Sequence, residues 1–265
     1  MTKGVSIKFR SYETTVPKLL ELIKFERAIE KNTSIILKPA VNQKDAMNTP
    51  VEFVEEVLKF CLKHKKPETS IFIAEGSDGA ETMDLFESLG YKTLSEKYQV
   101  GLLDLNQAEI EEIQDGNFTK FESIRYPKLL LNSFIVSLPK LSQDGELEMQ
   151  GSLSNMLGAF PSRYYQGLFA RKKSKIRKWP LKYAVHDILR CKMPDFTVID
   201  ASEQGAILAG FPLDMDKQAA KLLGKEWKDV QHLRLIDEDF EQAFAQEAAK
   251  EAQVSTTSPS EASKK

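Results

Sequence analysis

Ser133-Phe-Ile-Val-Ser-Leu-Pro-Lys-Leu141, followed after a polar interval by Gln150-Gly-Ser-Leu-Ser-Asn-Met-Leu-Gly-Ala-Phe-Pro161, is the stretch that decides the fold. A compact apolar run is halted by Pro139 and Lys140, and Gly151, Asn155 and Gly158 then follow at near-helical spacing. This order predicts a buried strand that feeds a helix through an exposed loop. In an α/β protein that junction is where a ligand sits.

The flanking sequence repeats the pattern. Val5–Phe9 alternates like a half-buried strand, and Val16–Glu30 carries apolar residues at helical spacing with a proline in the opening turn. Ser34–Pro39 is a continuous apolar run ended by proline, the signature of a strand covered on both faces. Thr49-Pro50-Val51-Glu52 reads as a capping box opening a helix to about Lys65. Ser70–Gly76 is the next strand, Asp78 and Glu81 are placed to cap a helix that Gly90 closes, and Val100–Leu105 is a third strand. Asn106–Asn117 reads as an exposed connection, Phe118–Ile124 as a further strand, Phe196–Asp200 as a last clear strand with Ile207–Ala209 as its companion, and Met215–Leu223 as a helix ended by Gly224. The rhythm predicts βαβ units, a mostly parallel sheet and helices on both faces. The expected organisation is one α/β domain over 1–236, then an acidic helix and a disordered polar tail over 237–265.

With 265 residues, 42% hydrophobic and 29% charged, the composition is that of a soluble globular protein. No apolar run approaches the roughly 20 residues that span a bilayer, and the start lacks the apolar core of a secretory signal. The expectation is a cytoplasmic protein with no membrane partner. Two cysteines, Cys61 and Cys191, are too few for an iron–sulfur cluster, and Cys61 with His64 is at best half a zinc site. No metal site is expected in the chain.

Around these elements the chain resembles the family called domain of unknown function number 362, over roughly Ile35 to Ile236. The residues that carry the resemblance are Lys38-Pro39, Glu75-Gly76, Gly90-Tyr91, then Leu138-Pro139-Lys140, Gly151, Asn155, Gly158 and Pro161, and further on Pro194-Asp195, Val198–Asp200 and Asp216. The family's Leu-Pro-Lys-x-Lys-Thr-His continues here as Ser142-Gln143-Asp144, and its Thr-Gly-x-x-Lys-Asn has Gln150 and Ser154 in place of threonine and lysine. Scaffold glycines and prolines survive, whereas two lysines and a histidine, the group best suited to proton transfer near neutrality, are replaced. The resemblance implies a ligand crevice, in an enzyme with altered chemistry or in a non-catalytic relative. Many relatives carry a ferredoxin-like segment that is missing here, so a redox role would make this chain a docking subunit for an iron–sulfur partner.

Two sets of residues are candidates for binding. Lys38, Glu75, Lys140, Asp200 and Asp216 fall at or just beyond strand ends, with Gly151 and Asn155 in the loop-to-helix stretch, where they can converge on a small anionic ligand. Lys140, Asn155 and Asp216 are expected to face one cavity. Gly151 to Gly158 is neither a dinucleotide fingerprint nor a P-loop, and its glycines serve close packing, a turn, or an amide nest for an anion. The second set lies in a stretch without acids from Met149 to His186, with Arg171, Lys172, Lys173, Lys175, Arg177 and Lys178 at its centre and aromatics between. Removing its eight cations from the chain's 37 leaves 29 against 39 acids, so the charge is strongly divided. Such a strip suits a nucleic acid or acidic protein, or it pairs with the chain's own acidic C-terminal segment.

Overall fold

The computed structural model describes residues 4–43 and 45–241. From residue 242 onward, the expected acidic helix and tail lie outside the described residues. In chain order the first half comprises β1 (Val5–Lys8), α1 (Tyr12–Leu22), α2 (Glu26–Ile29), β2 (Ser34–Pro39), α3 (Val51–His64), β3 (Ser70–Glu75), α4 (Thr82–Ser88), α5 (Tyr91–Tyr98) and β4 (Gly101–Asp104). The second half comprises β5 (Ile110–Ile113), β6 (Ile124–Pro127), α6 (Lys128–Leu131), β7 (Phe134–Leu138), β8 (Ser142–Asp144), β9 (Glu148–Gln150), α7 (Ser162–Tyr165), α8 (Leu181–Cys191), β10 (Phe196–Ala201), β11 (Ala206–Gly210) and α9 (Pro212–Leu222). Helical backbone continues over 231–241.

Seven strands form one sheet in the order β1-β11-β10-β7-β2-β3-β4. Four successive pairings, β10 with β7, β7 with β2, β2 with β3 and β3 with the edge strand β4, are parallel, and β11 pairs antiparallel with both β10 and β1. The period-two alternation of each strand divides the core. Ile35, Leu37, Val136, Val198 and Ile207 pack with α1 and α3, whereas Ile36, Ile135, Ile199 and Leu208 pack with α8, α9 and the 153–160 segment. Helices therefore cover both faces, and the α/β reading holds. Among the described residues no helix is long and apolar enough to cross a membrane.

Several local expectations are overturned, each by a longer-range partner. Thr49 does not cap α3; its hydroxyl accepts from the Ala40 amide at 2.9 Å and donates to the Leu138 carbonyl at 2.6 Å, tying the ends of β2 and β7 together. Asp78 does not cap α4 either, because its carboxylate accepts from the Lys173 amide and pairs with Arg177. The single helix expected over Val16–Glu30 starts earlier, at Tyr12 behind the Ser11 cap, and breaks at Lys24 in the left-handed region (φ 57°). Gly90, also left-handed at φ 87°, ends α4 as expected but at once begins a second helix, α5. Phe118–Ile124 is no strand. Asp187, buried on α8, accepts from the amides of Thr119, Lys120 and Phe121 and from the Thr119 hydroxyl, so the segment curls around a carboxylate, and pairing is left to β5 with β6.

Candidate functional site

The sheet order reverses between β2 and β7: the chain runs outward from β2 to β3 and β4, then returns on the other side of β2 with β7 and β10. The carboxyl ends of strands beside such a switch point form the natural crevice of an α/β sheet. Here the innermost part is filled by the chain itself. The segment after β9 is a short 3-10 helix, Ser154–Ala159, and its Asn155 side chain donates to the Lys38 carbonyl at 2.9 Å and to the Ser137 hydroxyl at 3.1 Å. The open part is displaced toward β3, as a cleft of about 460 Å³ between the ends of β2 and β3, the β8–β9 turn, the 154–158 segment and residues 172–177.

Glu75 and Asn155 line its floor, and Lys38 joins them from beneath, outside the lining itself. The Lys38 ammonium, fully buried, donates to Glu75 Oε2 at 2.7 Å and to the Asn155 carbonyl at 2.6 Å. Burial pulls its pKa below the ordinary lysine value, against the opposing pull of Glu75. Glu75 is completed by the Gly76 amide at 2.7 Å on its other oxygen. Gly158 is a glycine for this reason: a Cβ there would lie 1.7 Å from Glu75 Oε1 and 2.8 Å from Lys38 Nζ. The glycine spacing in the sequence thus reports close packing over an ion pair.

The basic strip supplies the opposite wall, which sequence alone did not suggest. Lys173 is 1% exposed, and its Nζ donates to the Gly76 carbonyl at 2.6 Å and more weakly to Gly158 at 3.4 Å. Among the described residues it forms no ion pair. Burial lowers its pKa to about 8, opposed by Glu75 and Asp78. Arg177 spans the mouth, reaching Glu146 at 3.0 Å and Asp78 at 3.3 Å. Asp144 stands at the position that the resemblance assigns to a histidine, and its carboxylate is committed to its own turn through the amides of Glu146 and Leu147. Asp78 and Glu146 were not among the expected site residues. The one local hint that Lys173 turns inward is the buried Ile176 three residues on.

The other candidates go elsewhere. The amides that could have made a nest for an anion are taken by the chain's own carboxylate: Asp216, fully buried, accepts from the amides of Ser152 at 2.7 Å and Leu153 at 2.9 Å, packed so closely that a Cβ on Gly151 would meet its Oδ1 at 2.5 Å. Burial raises the Asp216 pKa to about 7 against those two amides. Asp200, also buried, accepts from the Tyr12 hydroxyl and the Ser202 amide, and Lys140 pairs with Glu203 at 2.8 Å. Neither Lys140 nor Asp216 lines the cleft, so the expected trio of Lys140, Asn155 and Asp216 does not share a cavity. Nor is the strip uniformly solvated. Lys173 is interior, Arg177 is paired and Lys175 reaches the Tyr164 carbonyl, while Arg171, Lys172 and Lys178 remain exposed without a carboxylate partner among the described residues. Among the described residues no group of three His, Cys, Asp or Glu side chains is placed to hold a metal. Burial also pushes the Cys61 thiol up to about 12, away from the thiolate form that metals and electrophiles need.

Among solved structures, the fold is similar to that of the lactate racemase apoprotein from Thermoanaerobacterium thermosaccharolyticum, with a TM-score of 0.53 and 14% identity over 84% of this chain. The chain spans 58% of that protein's length, and at this identity the likeness concerns the fold alone. No curated protein matches the chain in sequence. The family described as Domain of unknown function (DUF362) matches residues 35–207, the stretch that runs from β2 through the cleft and the loop over it to β11, and the chain belongs to that family.

Proposed function

We propose that the chain is a ligand-binding member of its family that takes a small anionic molecule in the cleft beyond β2 and β3, in the cytoplasm. The observation that carries the reading is Lys173, a buried ammonium at the cleft wall with one close backbone acceptor and no carboxylate partner among the described residues. Buried charges are ordinarily paired. A carboxylate or phosphate entering the cleft would supply the missing counter-charge through a charge-assisted hydrogen bond. The volume suits a small molecule. The acids at the mouth are partly offset, because Arg177 bridges Asp78 and Glu146 and the lining adds Lys172 and Lys173 as two further cations. Binding rather than proton transfer is the assigned role, since the histidine position of the family motif is held by Asp144, whose carboxylate is committed to its turn.

The test is calorimetric titration of wild-type and Lys173→Met protein with inorganic phosphate, small mono- and dicarboxylates and nucleoside phosphates. At least one of these anions is expected to bind the wild type, and the variant is expected to bind it about 10- to 100-fold more weakly, the usual weight of a hydrogen bond to a charged group. Equal affinity in the variant, or no response to any anion, would overturn the reading.

A further inference from the structure

The loop over the cleft also carries a surface feature that ligand binding does not use. Leu168 is 93% and Phe169 99% exposed, against 59% for Leu22, 45% for Met83 and 37% for Leu222, the other exposed large hydrophobics among the described residues. Single exposed apolar residues are ordinary; two adjacent ones at full exposure on one turn are not. The turn is built rather than loose. The Ala170 amide closes onto the Gly167 carbonyl at 3.2 Å, Gln166 Nε2 donates to the Arg171 carbonyl at 3.0 Å, and the Lys175 amide donates to the Tyr165 carbonyl at 2.9 Å. Beneath it, Tyr165, Lys173 and Ile176 are buried and anchor the base. Arg171, Lys172, Lys175 and Lys178 follow the tip in the chain, all exposed and none ion-paired among the described residues, in a stretch with no acid from Met149 to His186, Lys172 also reaching the cleft.

We infer that this loop docks the protein on an anionic lipid surface, with Leu168 and Phe169 entering the headgroup boundary and the four cations meeting lipid phosphates and carboxylates. Two apolar side chains on a turn are too small a patch for a protein interface, which takes about 800 Å² from each partner. The pairing of an apolar tip with exposed cations on the same loop is what an interfacial anchor needs: apolar burial gives depth and the cations supply attraction to anionic headgroups. The expectation of no membrane partner rested on the lack of a spanning segment; surface docking requires none.

Co-sedimentation of the full chain with vesicles tests this independently of the cleft. Vesicles of phosphatidylcholine containing about one-third phosphatidylserine are expected to take up the protein at low salt, pure phosphatidylcholine vesicles are not, and added salt should release it. The double variant Leu168→Ser/Phe169→Ser should bind at least about thirtyfold more weakly, with an unchanged melting temperature because neither side chain is packed. Neutralising Arg171, Lys175 and Lys178, which lie outside the cleft lining, to Gln should weaken uptake about a hundredfold, at roughly fivefold per cation. In a Phe169→Trp variant, emission should shift to the blue on addition of the anionic vesicles. No uptake by anionic vesicles, or uptake unchanged in the tip variant, would overturn the inference. Binding of polyglutamate or a single-stranded oligonucleotide through the same cations, with vesicles left unbound, would overturn it in favour of an acidic macromolecule.

Discussion

Lys38, beneath the floor of the cleft, and Lys173, in its wall, are both buried, and the chain treats them in opposite ways. Lys38, at the end of a sheet strand, is given a carboxylate, a backbone carbonyl and an amide side chain, with a glycine opposite so that nothing crowds the pair. Lys173, on the loop over the cleft, is given one close backbone carbonyl and no carboxylate. A buried pair that is complete belongs to the architecture, whereas a buried charge left incomplete beside an open volume is where a ligand has something to contribute. On the proposed reading, the difference separates the scaffold under the cleft from the part that would meet a ligand.

The largest expected effect follows from breaking the complete pair. Lys38→Met leaves Glu75 buried without its cation and should cost about 3–5 kcal/mol in urea unfolding, with much of the loss recovered in Lys38→Met/Glu75→Leu. An equal loss on removing Lys173 would erase the distinction. Gly158→Ala comes next: the added methyl overlaps Glu75 and Lys38, and a loss of about 1–3 kcal/mol is expected from overpacking. Removing the incomplete charge should act in the other direction. Lys173→Met is expected to gain about 1 kcal/mol, because relief of desolvation outweighs the Gly76 carbonyl left without its donor.

The pH dependence sharpens the same contrast. With a folded pKa of about 8 against an ordinary 10.5, Lys173 binds fewer protons in the folded than in the unfolded state between those values. Wild-type stability should therefore rise with pH through that window, and Lys173→Met should lack the rise when melting curves are compared. The smallest effect concerns two buried groups with opposite slopes. Asp216, raised to about 7 by burial, contributes stability that is complete below its ordinary value of 3.8 and fades as pH climbs through 7. His232, lowered by burial to about 4 from 6.5, contributes stability that is complete above 6.5 and is lost as pH falls through 4. The pair should leave the wild type nearly flat between these limits, and His232→Leu should expose a decline with rising pH.

What the sequence determined by itself was the frame. Ser34–Pro39, Ser70–Glu75, Phe134–Leu138 and Phe196–Ala201 are strands because continuous apolar runs stopped by proline, glycine or acid leave few other local solutions, and the helices between them impose parallel pairing. That Lys38 and Glu75 come together was legible because strand ends at a switch point converge whatever the loops do, and Asn155 joins them from the segment that follows β9. Only the tertiary structure decided which charge meets which. Asp216 fills an amide nest more than sixty residues away, Asp187 bends 119–121 out of a strand, and Thr49 leaves a helix cap for two strand ends. One lysine of a strip that reads as uniformly solvated turns inward to wall a cleft, while its neighbours stay outside around two bare apolar side chains. Periodicity records contacts within a few residues, whereas the desolvation of a charge depends on every element folded over it, and that is settled only when the whole chain has packed.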